Sequence, residues 1–145
     1  MKIARAETDH LDHMLDLLRS ADLPTEGVVE SLADYWVALE EPDGVVGLIG
    51  LEIHGPDGLL RSLVVHPDQR RRGLAARLCS ELFGRARAEL LRAVYLLTTD
   101  AAEYFTRHGF ASVERSDVPV GIRESQEFST LCPVSAVVMR LSLSS

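Results

Sequence analysis

Apolar positions along the chain change period several times, and each change marks an expected element. Lys2 to Ala6 reads as a short first strand. Leu11, Met14, Leu15, Leu18 and Ala21 then recur at helical spacing, with Thr8 or Asp9 suited to the N-cap. Pro24 predicts a stop, and Thr25 a cap for a second short helix reaching Leu32. Tyr35 to Leu39, Val45 to Ile53 and Leu59 to Val65 read as strands separated by turns at 41–44 and 55–58, an antiparallel meander. From Gly73 to about Leu91 the period returns to that of a helix, with Leu74, Leu78, Leu82, Phe83 and Ala86 on its buried stripe. Ala93 to Leu97 follows as a buried strand, and strand, helix, strand in this order favours a parallel pairing. Ala101 to His108 is a helix closed by Gly109, Ala111 to Glu114 begins a strand, 124–131 has room for a short helix, and Ala136 to Leu141 is a last strand. The pattern predicts an α/β fold with a mixed sheet and helices on both faces. It shows no linker, repeat or low-complexity segment.

Candidate chemistry concentrates where the third meander strand runs into the long helix, from Leu63 to Ala75. Amides in such a loop and in the first helical turn have no intrahelical partners, and the helix dipole adds partial positive charge. Gly73 can bring backbone close to a phosphate, Ala75 keeps the next turn slim, and Arg70, Arg71 and Arg72 suit a polyanion. The segment is neither a Walker A loop, which ends in Gly-Lys-Ser/Thr, nor a dinucleotide fingerprint with its three spaced glycines. Spacing alone also allows a basic loop that merely caps a helix.

Two motifs narrow the choice. Leu63-Val64-Val65-His66-Pro67 followed by Arg70-x-x-Gly73-x-Ala75 resembles the acetyl-coenzyme A motif of the GCN5-related N-acetyltransferases, GNAT. Ala101-Ala102-Glu103-Tyr104-Phe105-Thr106-Arg107-His108-Gly109-Phe110 resembles the family's "A-x-x-F-Y-x-x-x-G-F" helix and turn. The resemblance implies a single N-acetyltransferase domain over residues 1–145, a mostly antiparallel sheet with a splayed central strand pair, and acetyl-CoA as co-substrate. Val64, Val65, Arg70, Arg71, Arg72, Gly73, Leu74, Ala75 and Phe105 are the cofactor contacts it implies. The acetyl and pantetheine arm would lie between the Leu59 to Val65 and Ala93 to Leu97 strands.

The implied reaction is attack of a neutral amine on a thioester, needing carbonyl polarisation, removal of the amine proton and stabilisation of the thiolate. The backbone N–H of Val65, with Val64 as alternative, stands where the family places its carbonyl donor. The family's tyrosine acid falls on Phe105, and Tyr104 lies about 100° away round the helix, so Tyr104 competes with water for that role. Amines of pKa about 9 to 10 need a base or a water chain; Glu26, Glu52 and His66 are the candidates, Glu26 first as a carboxylate at a helix start. Arg61, on one strand face with Leu63 and Val65 if the pleat is regular, suits a bidentate clamp on an acceptor carboxylate, with an edge salt bridge as the alternative. Arg123 is the second acceptor-binding candidate.

Finer resemblance points to the acceptor. Arg61-Ser62-Leu63-Val64-Val65, Leu97-Thr98-Thr99-Asp100 and the Tyr104-Phe105 order look like amino-acid N-acetyltransferases of the N-acetylglutamate-synthase type. Leu23-Pro24-Thr25-Glu26 and the stretch from Glu127 to Ala136 are closer to small N-acetyltransferases of arsenic-resistance operons. Both imply a small amino acid or an amino-acid-like toxic compound. A regulatory acyl-CoA-binding module and a protein or peptide acetyltransferase stay open.

Composition adds limits. A net charge of −7 over 145 residues argues against nucleic acid as the main partner. The two cysteines, Cys79 and Cys132, offer no metal or trivalent arsenic site, which wants three thiolates, and no base stands by either for a thiol relay, so direct transfer in a ternary complex is expected. No signal core and no run near the roughly 18 apolar residues of a membrane span are seen. A cytoplasmic protein is expected, and relatives that pair through C-terminal strands imply a homodimer.

Overall fold

The computed structural model describes residues 2–40, 44–70, 73–125 and 136–143. Its elements run in chain order as β1 (Lys2–Arg5), α1 (Leu11–Ser20), β2 (Tyr35–Glu40), β3 (Gly44–His54), β4 (Asp57–Val65), α2 (Leu74–Ala88), β5 (Ala93–Thr98), α3 (Ala102–Arg107), β6 (Ala111–Ser112), α4 (Val120–Arg123) and β7 (Val137–Ser142). The seven strands form one mixed sheet in the order β1-β2-β3-β4-β5-β7-β6. Pairing is antiparallel except between β4 and β5, which run parallel over three residue pairs, Asp57 with Ala93, Gly58 with Val94 and Leu59 with Tyr95. Pairing confined to the first residues of both strands is what the expected divergence requires. No helix among the described residues is long and apolar enough to cross a membrane.

Contacts group the chain into two compact units. The first holds Met1–Glu52 and Ser62–Arg85. Its core joins Met14, Leu17 and Leu18 of α1 to Tyr35 and Val37 of β2, Leu48 of β3 and Val64 of β4. The helical stripe read from the sequence thus buries where expected. The cap position of α1 is His10 rather than Thr8 or Asp9, because a 3-10 turn, Thr8–His10, leads into the helix; Glu7 caps that turn, and its N–H donates to His10 Nδ1 at 3.0 Å. The end of α1 also differs from expectation. Asp22 takes φ 57, and Leu23 and Asp22 donate to the carbonyls of Leu18 and Arg19, closing the helix two residues before Pro24 acts. The second helix expected from Thr25 to Leu32 does not form. Gly27 adopts φ 85, which no right-handed helix contains, so 26–31 are turns leading to a 3-10 turn at Leu32–Asp34.

The second unit holds Ile53–Arg61 and Ala86–Ser145. Leu59, Ala93, Tyr95, Val118, Ile122 and Val138 make its core. α3 ends as predicted: Gly109 has φ 96, Phe110 donates to the Phe105 carbonyl and Gly109 to that of Thr106, and the Phe105 and Phe110 rings meet at 5.4 Å. The helix suggested for 124–131 falls largely outside the described residues; α4 precedes it, opened by Pro119. Asp57, read from sequence as a turn residue, is 1% exposed at the start of β4. Arg92 chelates its carboxylate, Nε to Oδ1 at 3.3 Å and Nη2 to Oδ2 at 2.7 Å, while the Arg92 N–H donates to the Pro56 carbonyl. This clamp sits where β4 and β5 begin their parallel pairing. Arg92→Ala strips a buried carboxylate of that partner and should lower Tm by a few degrees; an unshifted thermal transition would show the clamp to be dispensable.

Candidate active site

The strand, loop and helix singled out by sequence lie together in the first unit. His66 anchors the turn. Its N–H donates to the Val46 carbonyl at 2.7 Å, and its Nδ1 accepts from the Asp68 N–H at 3.1 Å. That bond occupies one ring nitrogen in capping the 3-10 turn Pro67–Gln69, which gives His66 a structural task. Arg70 follows, exposed, its Nε donating to the Val65 carbonyl at 3.3 Å. This bond ties the basic loop to the last residue of β4. Arg71 and Arg72 lie outside the described residues.

Gly73 takes φ 74, and a Cβ built on it meets nothing within 4 Å. Its carbonyl accepts from the Arg77 N–H at 3.1 Å, which makes Gly73 the N-cap. The N–H groups of Leu74, Ala75 and Ala76 are therefore the ones a helix leaves without internal acceptors. Leu74 and Leu78 are buried, and a Cβ on Gly47 would lie 3.2 to 3.3 Å from both and 3.2 Å from the Val64 carbonyl. The bare backbone of Gly47 thus lets α2 and β4 close on β3.

β4 itself is not regular. Ser62 has φ 63, a left-handed conformation that costs a non-glycine residue on the order of 1–3 kcal/mol. A left-handed residue breaks the alternation of faces along a strand. Arg61 therefore does not continue one regular face with Leu63 and Val65, as an unbroken pleat would require. The Ser62 Oγ lies 3.2 Å from the Tyr35 hydroxyl, in the buried interior. Val64 and Val65 follow the kink, both buried.

Glu26 is exposed, and its Oε2 accepts from the Thr25 N–H at 3.1 Å. No helix begins there, so the helix-dipole ground for choosing it falls. Glu52 is half-buried on β3.

The second unit carries the remaining candidates. Arg61 is buried, 4% exposed. Arg123 is exposed at the end of α4. Phe105 is buried against Phe110, whereas Tyr104 is half-buried with its ring 4.5 Å from that of His108. The two aromatics separate as helical geometry predicts. Cys79, back in the first unit, is buried, and desolvation pushes its thiol up to about 12, as expected of a core residue. Cys132 lies outside the described residues. Among the described residues no group of His, Cys, Asp or Glu could hold a metal ion.

Residues 31–112, more than half of the chain, match the Acetyltransferase (GNAT) domain family. The chain belongs to this family. A protein named amino-acid acetyltransferase from Mycobacterium tuberculosis is 34% identical over 93 residues, 61% of this GNAT chain and 52% of the relative. A second protein of that name, from Ectopseudomonas mendocina, is 42% identical over 60 residues, 40% of the chain and 14% of the relative. The chain thus spans about half or less of the curated relatives it matches. Among solved structures, Rv2747 of Mycobacterium tuberculosis in complex with CoA and a second ligand has a TM-score of 0.84 at 26% identity, covering 99% of the chain and 100% of that protein. N-acetylglutamate synthase of Neisseria gonorrhoeae, with CoA and N-acetyl-glutamate, has a TM-score of 0.86 at 19% identity, covering 99% of the chain and 35% of that protein; at this identity it speaks to the fold.

The residues of this GNAT chain fit a CoA diphosphate. Gly73 takes φ 74 and leaves room at its α-carbon, the first amides of α2 are those a helix leaves unclaimed, and the exposed Arg70 precedes them in the chain.

Proposed function

We infer that this GNAT protein is an acetyl-CoA-dependent N-acetyltransferase acting on a small amino acid or an amino-acid-like toxic compound, by direct transfer in a ternary complex. Gly73, left-handed and open at the head of α2, is the observation that carries the reading. The CoA bound to Rv2747, and the name amino-acid acetyltransferase borne by two relatives, support it.

Bound to the loop, acetyl-CoA would supply an acetyl group already activated as a thioester. The amides from Gly73 to Ala76, with Arg70, would hold its diphosphate. The N–H of Val65, or of Val64, would donate to the acetyl carbonyl and stabilise charge developing there. Phe105 offers no proton, and the Tyr104 ring lies against that of His108, so Tyr104 and water remain the two proton sources for the departing thiolate. Arg61 would bind an acceptor carboxylate. A buried guanidinium keeps its charge in a poorly screened place, where a bidentate carboxylate is held strongly. Action in the cytoplasm as one domain, with two copies pairing, belongs to the same reading.

Thiol release from acetyl-CoA, measured with and without a panel of amino acids, tests the activity; release that no amine accelerates rejects it. Arg61→Ala should raise the acceptor KM about tenfold or more and leave the acetyl-CoA KM within about twofold. Arg61→Lys keeps the charge and loses the fork, so it should fall between. Parallel rises in both KM values would rule out the clamp.

A further inference from the structure

We propose that the Tyr35 hydroxyl is a positioning group for the acetyl-binding end of β4, holding Ser62 in its left-handed conformation so that the Val64 and Val65 amides are aimed. The claim rests on the acetyltransfer reading given above. Ser62 stands at φ 63 in the middle of a strand. A serine does not adopt this conformation unaided, and residues so placed persist only where their surroundings over-determine them. The Tyr35 hydroxyl is 3.2 Å from the Ser62 Oγ, and both residues are buried.

How a β2 side chain reaches β4 is explained by the strand between them. Tyr35 is the register partner of Gly50 on β3. A Cβ at Gly50 would fall 2.5 Å from Cε2 and Cζ of the Tyr35 ring, so the ring lies directly on the glycine backbone. β3 has β2 on one side and β4 on the other. The ring therefore crosses β3 through the slot left by the absent side chain and delivers its hydroxyl to the kink. Ser62 precedes Val64 by two residues, and the break in alternation sets how the following amides point. The diphosphate amides, Gly73 to Ala76, lie further along the chain at the head of α2, and the Arg70–Val65 bond is the link between them and the kink. Turnover and CoA affinity should consequently separate.

Tyr35→Phe keeps the ring over Gly50 and deletes the hydroxyl. Its kcat should fall about tenfold, as for a displaced transition-state donor, while the CoA dissociation constant stays within about twofold. Backbone NMR resonances of Ser62, Val64 and Val65, recorded without any ligand, should shift. Ser62→Ala removes the other oxygen and should repeat both changes. Adding Ser62→Gly to Tyr35→Phe should recover most of kcat, because glycine holds positive φ without help. Resonances of Ser62 to Val65 that do not move in Tyr35→Phe overturn the proposal, as does a kcat that stays put while they move. A parent protein with no amine-dependent turnover would instead reject the acetyltransfer reading, and the ligand-free resonances would still decide whether the hydroxyl holds the kink.

Discussion

Gly73→Ala should abolish most CoA binding while leaving a folded protein. At φ 74 an L-residue is strained by roughly 1–2 kcal/mol, yet its Cβ would meet nothing within 4 Å. The fold therefore loses a few degrees of Tm and no packing. Binding loses more, because the methyl occupies the approach of the diphosphate and any relaxation of φ turns the amides of the first turn of α2 away. Isothermal calorimetry should show CoA affinity reduced by about 10- to 100-fold. Gly73→Asn separates the two causes. Asparagine tolerates the left-handed region, so it should regain stability without regaining affinity. An unchanged dissociation constant in Gly73→Ala would remove the loop from the binding site and, with it, the main support for the proposed function.

Gly50→Ala should be the most destabilising small substitution in the first unit. The new methyl would sit 2.5 Å from two atoms of the Tyr35 ring. The ring is 1% exposed and cannot swing into solvent. Overpacking of this kind costs about 2–3 kcal/mol, or roughly 6–12 °C in Tm for a chain of this size. Because the clash is with one side chain, the double variant Gly50→Ala with Tyr35→Ala should be less destabilised than the sum of the singles. Strictly additive losses in chemical denaturation would show that the glycine is needed for some other reason.

The parts of the structure legible in the sequence are those fixed by short-range pattern. The stripe Leu74, Leu78, Leu82, Phe83 and Ala86 announces α2; Phe83 is half-buried and the other four are buried. Gly109 announces the end of α3, since only the residue closing a helix in this way needs positive φ. The turn at Pro67–Gln69 and the left-handed Gly73 ahead of α2 are local in the same way. Failures came where one residue's conformation overruled the pattern around it. Thr25 to Leu32 has a cap and apolar spacing, but Gly27 turns the chain out of the helix. A regular pleat would put Arg61 on one face with Leu63 and Val65, and Ser62 breaks that pleat. The Asp57–Arg92 clamp and the Tyr35–Ser62 contact join residues 35 and 27 positions apart, and no local period encodes such a meeting. Gly50 was the one readable hint, since glycine inside a strand marks a place where something comes close.

The depth of Cys79 has a practical side. With its thiol pushed up to about 12, it carries essentially no thiolate at the mildly alkaline pH used for chromogenic disulfide reagents, and it is shielded from them as well. Coenzyme A liberated by turnover can therefore be followed continuously by such dyes, free of a background from this side chain. Of the two cysteines in the chain, any stoichiometric colour from the native protein alone would then titrate Cys132.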